Sequence, residues 1–372
     1  MNVIIAAAGT GGHINPGIAI ANKIKEMDAK SKILFIGTDR GLENDLVPRA
    51  GYELKTIEAY GIERKFTLKN LKRLYCTIRS IKDSEKIIKE FKADVVIGTG
   101  GYICMPVISA ANKLKIPTLL HESNAFPGLS VKVLAKKVNT VLLGFEDAET
   151  RLQKANKIVV TGNPTKIKKQ SFSKEKKEGI IKDIGLKPGK PIMLAFGGSQ
   201  GAQSINKSLI DIIKNKKNKD YQIIWAAGAN QYALIKDELD NYNININNIE
   251  NVKIVPYIYQ MEEIMNVVDL VVCRSGAMTI TEISIVGKPA IFIPFPYAAE
   301  NHQEYNARVL EKVGAAKIIL DKDLNADILN KQIEEIISNK NILEQMGRNA
   351  EKLSIQDVTS KIYNEIELAI KR

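Results

Sequence analysis

Residues 2–16 read Asn-Val-Ile-Ile-Ala-Ala-Ala-Gly-Thr-Gly-Gly-His-Ile-Asn-Pro, an apolar run that breaks into glycines and then a proline. A strand covered on both faces carries apolar side chains at every position, as the strands of a parallel sheet do. Asn2–Ala8 is therefore expected as a buried strand, Ala8–His13 as a tight turn at its carboxyl end, and Pro16–Met27 as a helix opened by Asn15-Pro16. The alternation continues. Lys32–Gly37, Tyr52–Ile57, Asp94–Gly98, Pro117–His121 and Asn139–Leu143 are strand-like, and Leu68–Phe91 and Met105–Leu114 carry helical spacing. Lys166–Lys190 interrupts the pattern with a Lys-rich, aromatic-poor stretch ending in Pro-Gly, as a linker would. The strands then resume as Ile192–Phe196, Gln222–Ala227, Val252–Val255, Leu270–Cys273, Ala290–Ile293 and Ala316–Leu320. The expected fold is α/β: two Rossmann-like domains with parallel sheets facing across a cleft. The first domain is residues 1–164, the linker and domain start 165–190, and the second domain 191–357.

A chain of 372 residues suits two domains. Its net charge of +12 is unevenly divided: +9 over residues 1–164, +6 over 165–190 and −3 over 191–372. A basic front half and a slightly acidic back half imply that one face seeks an anionic partner. Nucleic acid, anionic lipid and phosphorylated substrate are the three classes that fit. Nucleic acid is disfavoured, because no helix-turn-helix, RRM or zinc signature accompanies the charge. Cys76, Cys104 and Cys273 are odd in number and far apart, which excludes a disulfide framework and suits a reducing cytosol. No apolar run approaches the ~20 residues of a membrane span. The N-terminus enters glycines at once and reads as a strand rather than a signal peptide. A cytosolic protein, or one held on the cytosolic face of a membrane, is expected.

In open α/β sheets ligands sit beyond the carboxyl ends of the strands. Glycine-rich turns stand at three of those ends: Gly9-Thr10-Gly11-Gly12, Gly98-Thr99-Gly100-Gly101-Tyr102 and Gly197-Gly198-Ser199-Gln200-Gly201. Glycines let backbone N–H groups approach a diphosphate at a helix N-terminus. One such turn is often mere chain geometry, but three in one chain point to phosphorylated ligands. The first is neither a dinucleotide fingerprint, since Ile14 holds the place of the third glycine, nor a Walker loop. The three histidines, His13, His121 and His302, all fall at expected carboxyl-end turns, and His13 lies where a base beside a diphosphate belongs. No metal-ligand spacing and no G-x-S-x-G elbow occurs, so neither a zinc enzyme nor a serine hydrolase is indicated. Arg274–Glu282 forms another strand end and helix start. The amides of Ala277, Met278 and Thr279 suit a phosphate or sugar hydroxyl, and Glu282 suits a ribose diol.

Seven motifs in order, GTGGHINP, GTGGY, HESNAFPG, TGNP, GGSQGA, RSGAMTITE and ENHQ, span Gly9 to Gln303. Together they resemble the MurG family, bacterial undecaprenyldiphospho-muramoylpentapeptide β-N-acetylglucosaminyltransferases. The resemblance implies a GT-B fold whose second domain holds the nucleotide sugar. It also implies a C-terminal helix near residues 358–371 that returns to the first domain. It implies no cofactor, and inverting transfer of N-acetylglucosamine from UDP-N-acetylglucosamine to the C4 hydroxyl of a lipid-linked muramoyl-pentapeptide. The donor is implied to lie against Thr10, Gly11, Gly12, Asn124, Lys166, Ser199, Ile258, Ala277, Met278, Thr279, Glu282 and Gln303. The acceptor diphosphate falls to Gly9, Gly100, Gly101 and Tyr102, and no metal site is implied. His13 is the candidate base, with His121 and Glu122 as second candidates. Two positions depart from the family pattern: Lys166 stands where Arg is common, and Glu304 where some members have a second glutamine. The alternatives are a UDP-N-acetylglucosamine 2-epimerase or another GT-B sugar transferase, while a nicotinamide dehydrogenase fails on the fingerprint. Cell-wall synthesis or division proteins are the expected protein partners.

Between Arg64 and Arg79, Leu68, Leu71, Leu74 and Ile78 recur at helical spacing among six cations. This pattern reads either as a core helix or as a membrane-facing one. With a lipid-linked acceptor, Phe66, Leu68, Lys69, Lys72 and Arg73 are expected against an anionic leaflet, making the protein peripheral on the cytoplasmic face. Each cation near such a surface contributes ~1 kcal/mol. Reversing Lys69, Lys72 and Arg73 to Glu should therefore release the protein from anionic vesicles in a sedimentation assay. Activity on a water-soluble short-chain acceptor should stay close to wild type.

Overall fold

The computed structural model describes residues 1–60, 68–198 and 201–371, and of residues 68–75 the backbone alone. The chain forms two compact units, Met1–Lys166 with Ile355–Arg372, and Ile167–Ser354. In the first, strands β1 (Asn2–Ala6), β2 (Lys32–Gly37), β3 (Glu53–Thr56), β4 (Val95–Gly98), β5 (Thr118–Glu122), β6 (Thr140–Leu143) and β7 (Ile158–Val160) alternate with helices. Those helices are α1 (Gly11–Met27), α2 (Glu43–Arg49), α3 (Leu68–Phe91), α4 (Cys104–Lys113) and α5 (Leu129–Leu134). All strand pairs are parallel, in the order β3-β2-β1-β4-β5-β6-β7.

The pleat divides the core. Ile4, Leu34, Val96, Leu120 and Val141 meet α4 and α5 on one face, where Val107, Ile108, Val131 and Leu134 are buried. Val3, Ile5, Phe35, Ile97, Leu119 and Leu142 point the other way, against Ile14, Ile20 and Ile24 of α1. Both faces being covered explains why these strands read as unbroken apolar runs.

The second unit holds α6 (Lys174–Ile184), β8 (Ile192–Phe196), α7 (Gln203–Lys214), β9 (Gln222–Ala226), α8 (Tyr232–Asn241), β10 (Val252–Val255) and α9 (Met261–Val267). It continues through β11 (Leu270–Cys273), α10 (Ala277–Val286), β12 (Ala290–Phe292), α11 (His302–Lys312), β13 (Ala316–Ile318), α12 (Ala326–Ile337) and α13 (Lys340–Glu351). Its sheet is parallel in the order β10-β9-β8-β11-β12-β13. A final helix, α14 (Val358–Ile370), belongs to the first unit. It buries Ile362, Tyr363 and Ile366 in the α1 face of that core, and its Glu365 pairs with Lys157 at 2.5 Å.

Strand order reverses between β1 and β4 in one sheet and between β8 and β11 in the other. Connections leave those neighbours toward opposite faces and open a crevice at their carboxyl ends. GTGGH follows β1, GTGGY follows β4, GGSQGA follows β8 and RSGA follows β11. The four motifs thus flank the two switch points.

Three expectations need correction. Helix α1 starts at Gly11 and not at Pro16, with Ile14 N bonded to Thr10 O at 3.2 Å, so His13 stands in its first turn. Pro16 removes only the bond its own N–H would have donated near the helix start, and the helix runs through it. The Lys-rich stretch contains α6, opened by the Ser173 side chain accepting from Lys176 N and closed by left-handed Gly185, with Ile180 and Ile181 buried. The short strand β7 just before the TGNP motif was not anticipated, being only three residues long.

Candidate functional site

At the first switch point the glycine turn is held from outside. Gly9 adopts φ +94° and donates its N–H to Glu43 Oε2 at 2.9 Å, while Gly9 O accepts from Leu42 N at 3.5 Å. Glu43 is fully buried, and its Oε1 accepts from the Thr38 amide at 2.9 Å and the Thr38 hydroxyl at 2.7 Å. Burial opposes its ionisation, but the Thr38 hydroxyl and the Gly9 and Thr38 amides prevail and hold the carboxyl below the usual range. The Gly9 amide is therefore spent within the protein. Gly9 supplies the left-handed corner before the start of α1. No side chain caps α1, so the leading N–H groups at Gly11 and Gly12 are directed at the crevice without a competing cap.

His13 Nδ1 lies 3.1 Å from Ala8 O. A carbonyl only accepts, so Nδ1 carries the proton and the basic lone pair sits on Nε2. The imidazole lies on the GTGGY turn. A Cβ at Gly100 would come within 2.5 Å of His13 Cδ2, and one at Gly101 within 3.0 Å of Ala8 O and 3.2 Å of His13 Nδ1. Both glycines also have positive φ, +114° and +81°. Thr99 Oγ1 donates to His13 O at 2.8 Å, tying the two turns together. Half-buried Tyr102 follows, within electrostatic reach of Arg40, whose guanidinium covers the Tyr60 ring at 4.2 Å.

The second candidates for the base stand at the end of β5. His121 is fully buried, donates Nε2–H to Gly162 O at 3.2 Å, and lies 3.5 Å from the Ser123 hydroxyl through Nδ1. Burial pushes its pKa down to about 4, only partly offset by the bond to Gly162. Glu122 is also buried. Its Oε1 accepts from Asn124 N at 2.8 Å and Asn124 Nδ2 at 3.0 Å, and its Oε2 from Gly128 N at 2.8 Å. Burial still raises the carboxyl above its usual range. These groups shape the Ser123–Gly128 loop with their bonds inside the protein. TGNP serves the same end, since Asn163 Nδ2 donates to Ser123 O at 3.0 Å. Lys166 is exposed just beyond it.

In the second unit, Gly201 (φ +78°) would bring a Cβ within 2.3 Å of Ala227 O, so the turn after β8 closes on the neighbouring connection. Ser199 lies outside the described residues, as does Phe66; for Leu68, Lys69, Lys72 and Arg73 the backbone is in α3 and the side chains lie outside the description. After β11, Gly276 opens α10 without a side-chain cap, presenting the amides of Ala277, Met278 and Thr279. Glu282 is half-buried in the second turn of that helix. Gln303 binds the site together: its Oε1 accepts from Ser275 N at 3.2 Å and Phe295 N at 2.9 Å, and its backbone O accepts from the Ser275 hydroxyl at 2.8 Å. That leaves the amide NH2 as the end able to serve a ligand. Two consecutive left-handed residues, Glu300 (φ 55°) and Asn301 (φ 53°), lead into it. Glu304 spends its carboxylate on Asn301 Nδ2 at 2.7 Å and Arg308 at 3.0 Å. Ile258 is buried after β10, between exposed Tyr257 and Tyr259.

Sequence reasoning missed Glu43 and the role of Arg274. Arg274 Nη1 donates to Ile293 O, Pro294 O and Asp321 Oδ1 at 3.0, 3.1 and 2.9 Å, and Nη2 donates to Ser204 Oγ at 3.1 Å. It fixes the turn that presents Ala277. Its position next to Ser275-Gly276 was the available signal; Glu43 offered none.

Two Rossmann-like units with uncapped helix starts at both switch points place the chain in the GT-B class of fold. Residues 3–143 match the glycosyltransferase family 28 N-terminal domain, and residues 192–362 its C-terminal domain. A relative from Thermoanaerobacter sp. (strain X514), named UDP-N-acetylglucosamine–N-acetylmuramyl-(pentapeptide) pyrophosphoryl-undecaprenol N-acetylglucosamine transferase, is 46% identical over 367 residues, 99% of each chain. One of the same name from Halalkalibacterium halodurans is 39% identical over 98% of each. The solved structure of Acinetobacter baumannii MurG superposes with a TM-score of 0.78 at 26% identity, covering 98% of this chain and 99% of that one. The chain belongs to the MurG family. Likeness to a Neisseria meningitidis UDP-GlcNAc 2-epimerase, TM-score 0.67 at 15% identity over 98% of this chain and 99% of that one, extends to the fold alone.

The buried neutral His121 gives a pH dependence with a definite sign. Its folded pKa of about 4 lies below the 6.5 of an unperturbed imidazole, so the unfolded chain binds the extra proton. Its contribution is complete above pH 6.5 and is lost as pH falls from 6.5 toward 4, by roughly 3 kcal/mol at most. Urea denaturation of His121→Asn should show a flatter stability curve over that window than wild type.

Proposed function

We propose that the protein transfers N-acetylglucosamine from UDP-N-acetylglucosamine to the C4 hydroxyl of a lipid-linked muramoyl-pentapeptide. The observation that carries this reading is the full-length match at 46% identity to a relative named for that reaction. The geometry supports the division of labour. The uncapped starts of α1 and α10 offer amides to phosphates, and the α10 start takes up charge developing on the departing UDP. Glu282 binds the ribose, the Gln303 amide NH2 the sugar, and buried Ile258 brings backbone groups to the uracil. Lys166 contributes a point charge where a guanidinium would offer a fork.

His13 accepts the proton of the attacking C4 hydroxyl at Nε2, the nitrogen that its bond to Ala8 O leaves basic. The hydroxyl oxygen bonds to the anomeric carbon as the bond to UDP breaks on the opposite face, so α becomes β in one displacement. His121 and Glu122 act on the loop that carries Asn124 and not on the proton. The protein works peripherally at the cytoplasmic face of the membrane, where its acceptor is anchored, beside other cell-wall synthesis or division proteins. Among the described residues no helix is long and apolar enough to cross a membrane.

Two substitutions test the roles separately. His13→Ala should lower kcat by ~10²–10⁴ with the UDP-N-acetylglucosamine Kd nearly unchanged; a loss confined to acceptor KM would make His13 a binding residue instead. Glu282→Ala should weaken the donor by about 2–3 kcal/mol in calorimetry, as loss of a charge-assisted contact does. Unchanged donor affinity would remove Glu282 from the ribose.

A further inference from the structure

Two bonds described above share one peptide. The amide N–H that Glu43 accepts is that of Gly9, and the carbonyl that holds His13 Nδ1–H is that of Ala8. These are the two ends of the single peptide unit joining residues 8 and 9. A buried carboxylate and an imidazole therefore face each other through one planar, resonance-coupled group, Glu43 Oε2···H–N–C=O···H–Nδ1 His13, with legs of 2.9 and 3.1 Å. Hydrogen bonds in such chains polarise one another. A negative acceptor on the N–H makes the carbonyl oxygen a stronger acceptor in turn.

We propose that Glu43 is a positioning residue for His13: through the Ala8–Gly9 peptide it fixes the Nδ1–H tautomer and raises the basicity of Nε2. The inference rests on the reading of His13 as the base for its catalytic consequence, but the coupling itself does not. No proton travels to Glu43. The carboxylate stays ionised and the peptide stays neutral, while the bond to Nδ1–H tightens as Nε2 takes its proton.

Several features make this more than a loop contact. Glu43 has no exposed surface and is 34 residues from Gly9 in sequence. Two glycines make room for its side chain: a Cβ at Gly41 would fall 2.0 Å from Glu43 Oε2 and one at Gly37 2.7 Å from Glu43 Cγ. Thr38 satisfies the second oxygen with two donors, which fixes the carboxylate and aims Oε2 at Gly9. On the other side Gly101 leaves room for the carbonyl, since a Cβ there would come within 3.0 Å of Ala8 O. Of the groups packed near the turn, His121 at the end of β5 is within electrostatic reach of His13 and kept neutral by burial, and the neighbouring buried Glu122 has its carboxyl raised above the usual range. Glu43 is the carboxylate bonded to the Ala8–Gly9 peptide itself.

The test is NMR titration of the full-length protein labelled with ¹⁵N-histidine and ¹⁵N-glycine, with His13 assigned by its loss in His13→Gln. In Glu43→Gln, which keeps the shape and removes the charge, the His13 midpoint should move to lower pH by about half a unit, a threefold loss of basicity. The acid limb of its kcat/KM profile should move with it while the plateau falls. A purely structural Glu43 would lower stability and rate but leave both midpoints unmoved, which overturns the proposal. Should Glu43→Gln fail to fold, wild type answers alone: the Gly9 amide proton should titrate with the midpoint of His13. A Gly9 amide that stays constant while His13 titrates also overturns it. If His13→Ala keeps full kcat, the base assignment falls, whereas the coupling is still decided by these spectra.

Discussion

An imidazole packed against a glycine turn leaves no room for a Cβ, and the first switch point is arranged around that exclusion. A Cβ at Gly100 would clash with His13 and one at Gly101 would crowd it, and both glycines take left-handed φ. The ring is thereby held against Ala8 O, its proton placed on Nδ1 and its lone pair on Nε2. The Gly9 corner, the α1 start and the Glu43 anchor follow from the same close approach. Loosening any of them frees the ring to turn and returns the tautomer to chance.

Much of this was legible in the sequence because fully covered parallel strands admit few polar residues. The runs at Lys32–Gly37, Ile192–Phe196, Val252–Val255 and Leu270–Cys273 match the strands of the structure at both ends. Glycine turns at strand ends located both switch points. What sequence cannot give is which amides are already taken. Gly9 and Gly11 look alike as residues, yet Gly9 donates to a carboxylate from α2 while Gly11 stands at the uncapped helix start. His121 and His13 are likewise one residue type at strand ends, but one is sealed behind Gly162 and the other is half-buried in the first turn of α1. Proline misled the placement of α1, and a cluster of lysines hid α6 although Ser173 and Gly185 already marked its ends.

The two departures from the family pattern take different forms. Glu304 is accounted for, since its carboxylate holds Asn301 and Arg308 and so steadies the strained turn before Gln303. That function needs an acceptor, and a glutamine oxygen would meet only part of it. Lys166 stands exposed beyond the buried TGNP segment, where it is available to an anion without a fixed geometry.

The proposed transfer relies on backbone amides and one imidazole. It is tested most directly by incubating the protein with UDP-N-acetylglucosamine and a short-chain prenyl-diphospho-muramoyl-pentapeptide in excess chelator, and reading the product's anomeric proton by NMR. A β-linked N-acetylglucosamine on C4, formed at the same rate with and without chelator, is the predicted result. An α linkage, a rate abolished by the chelator, or conversion of the donor to its 2-epimer without transfer would contradict it.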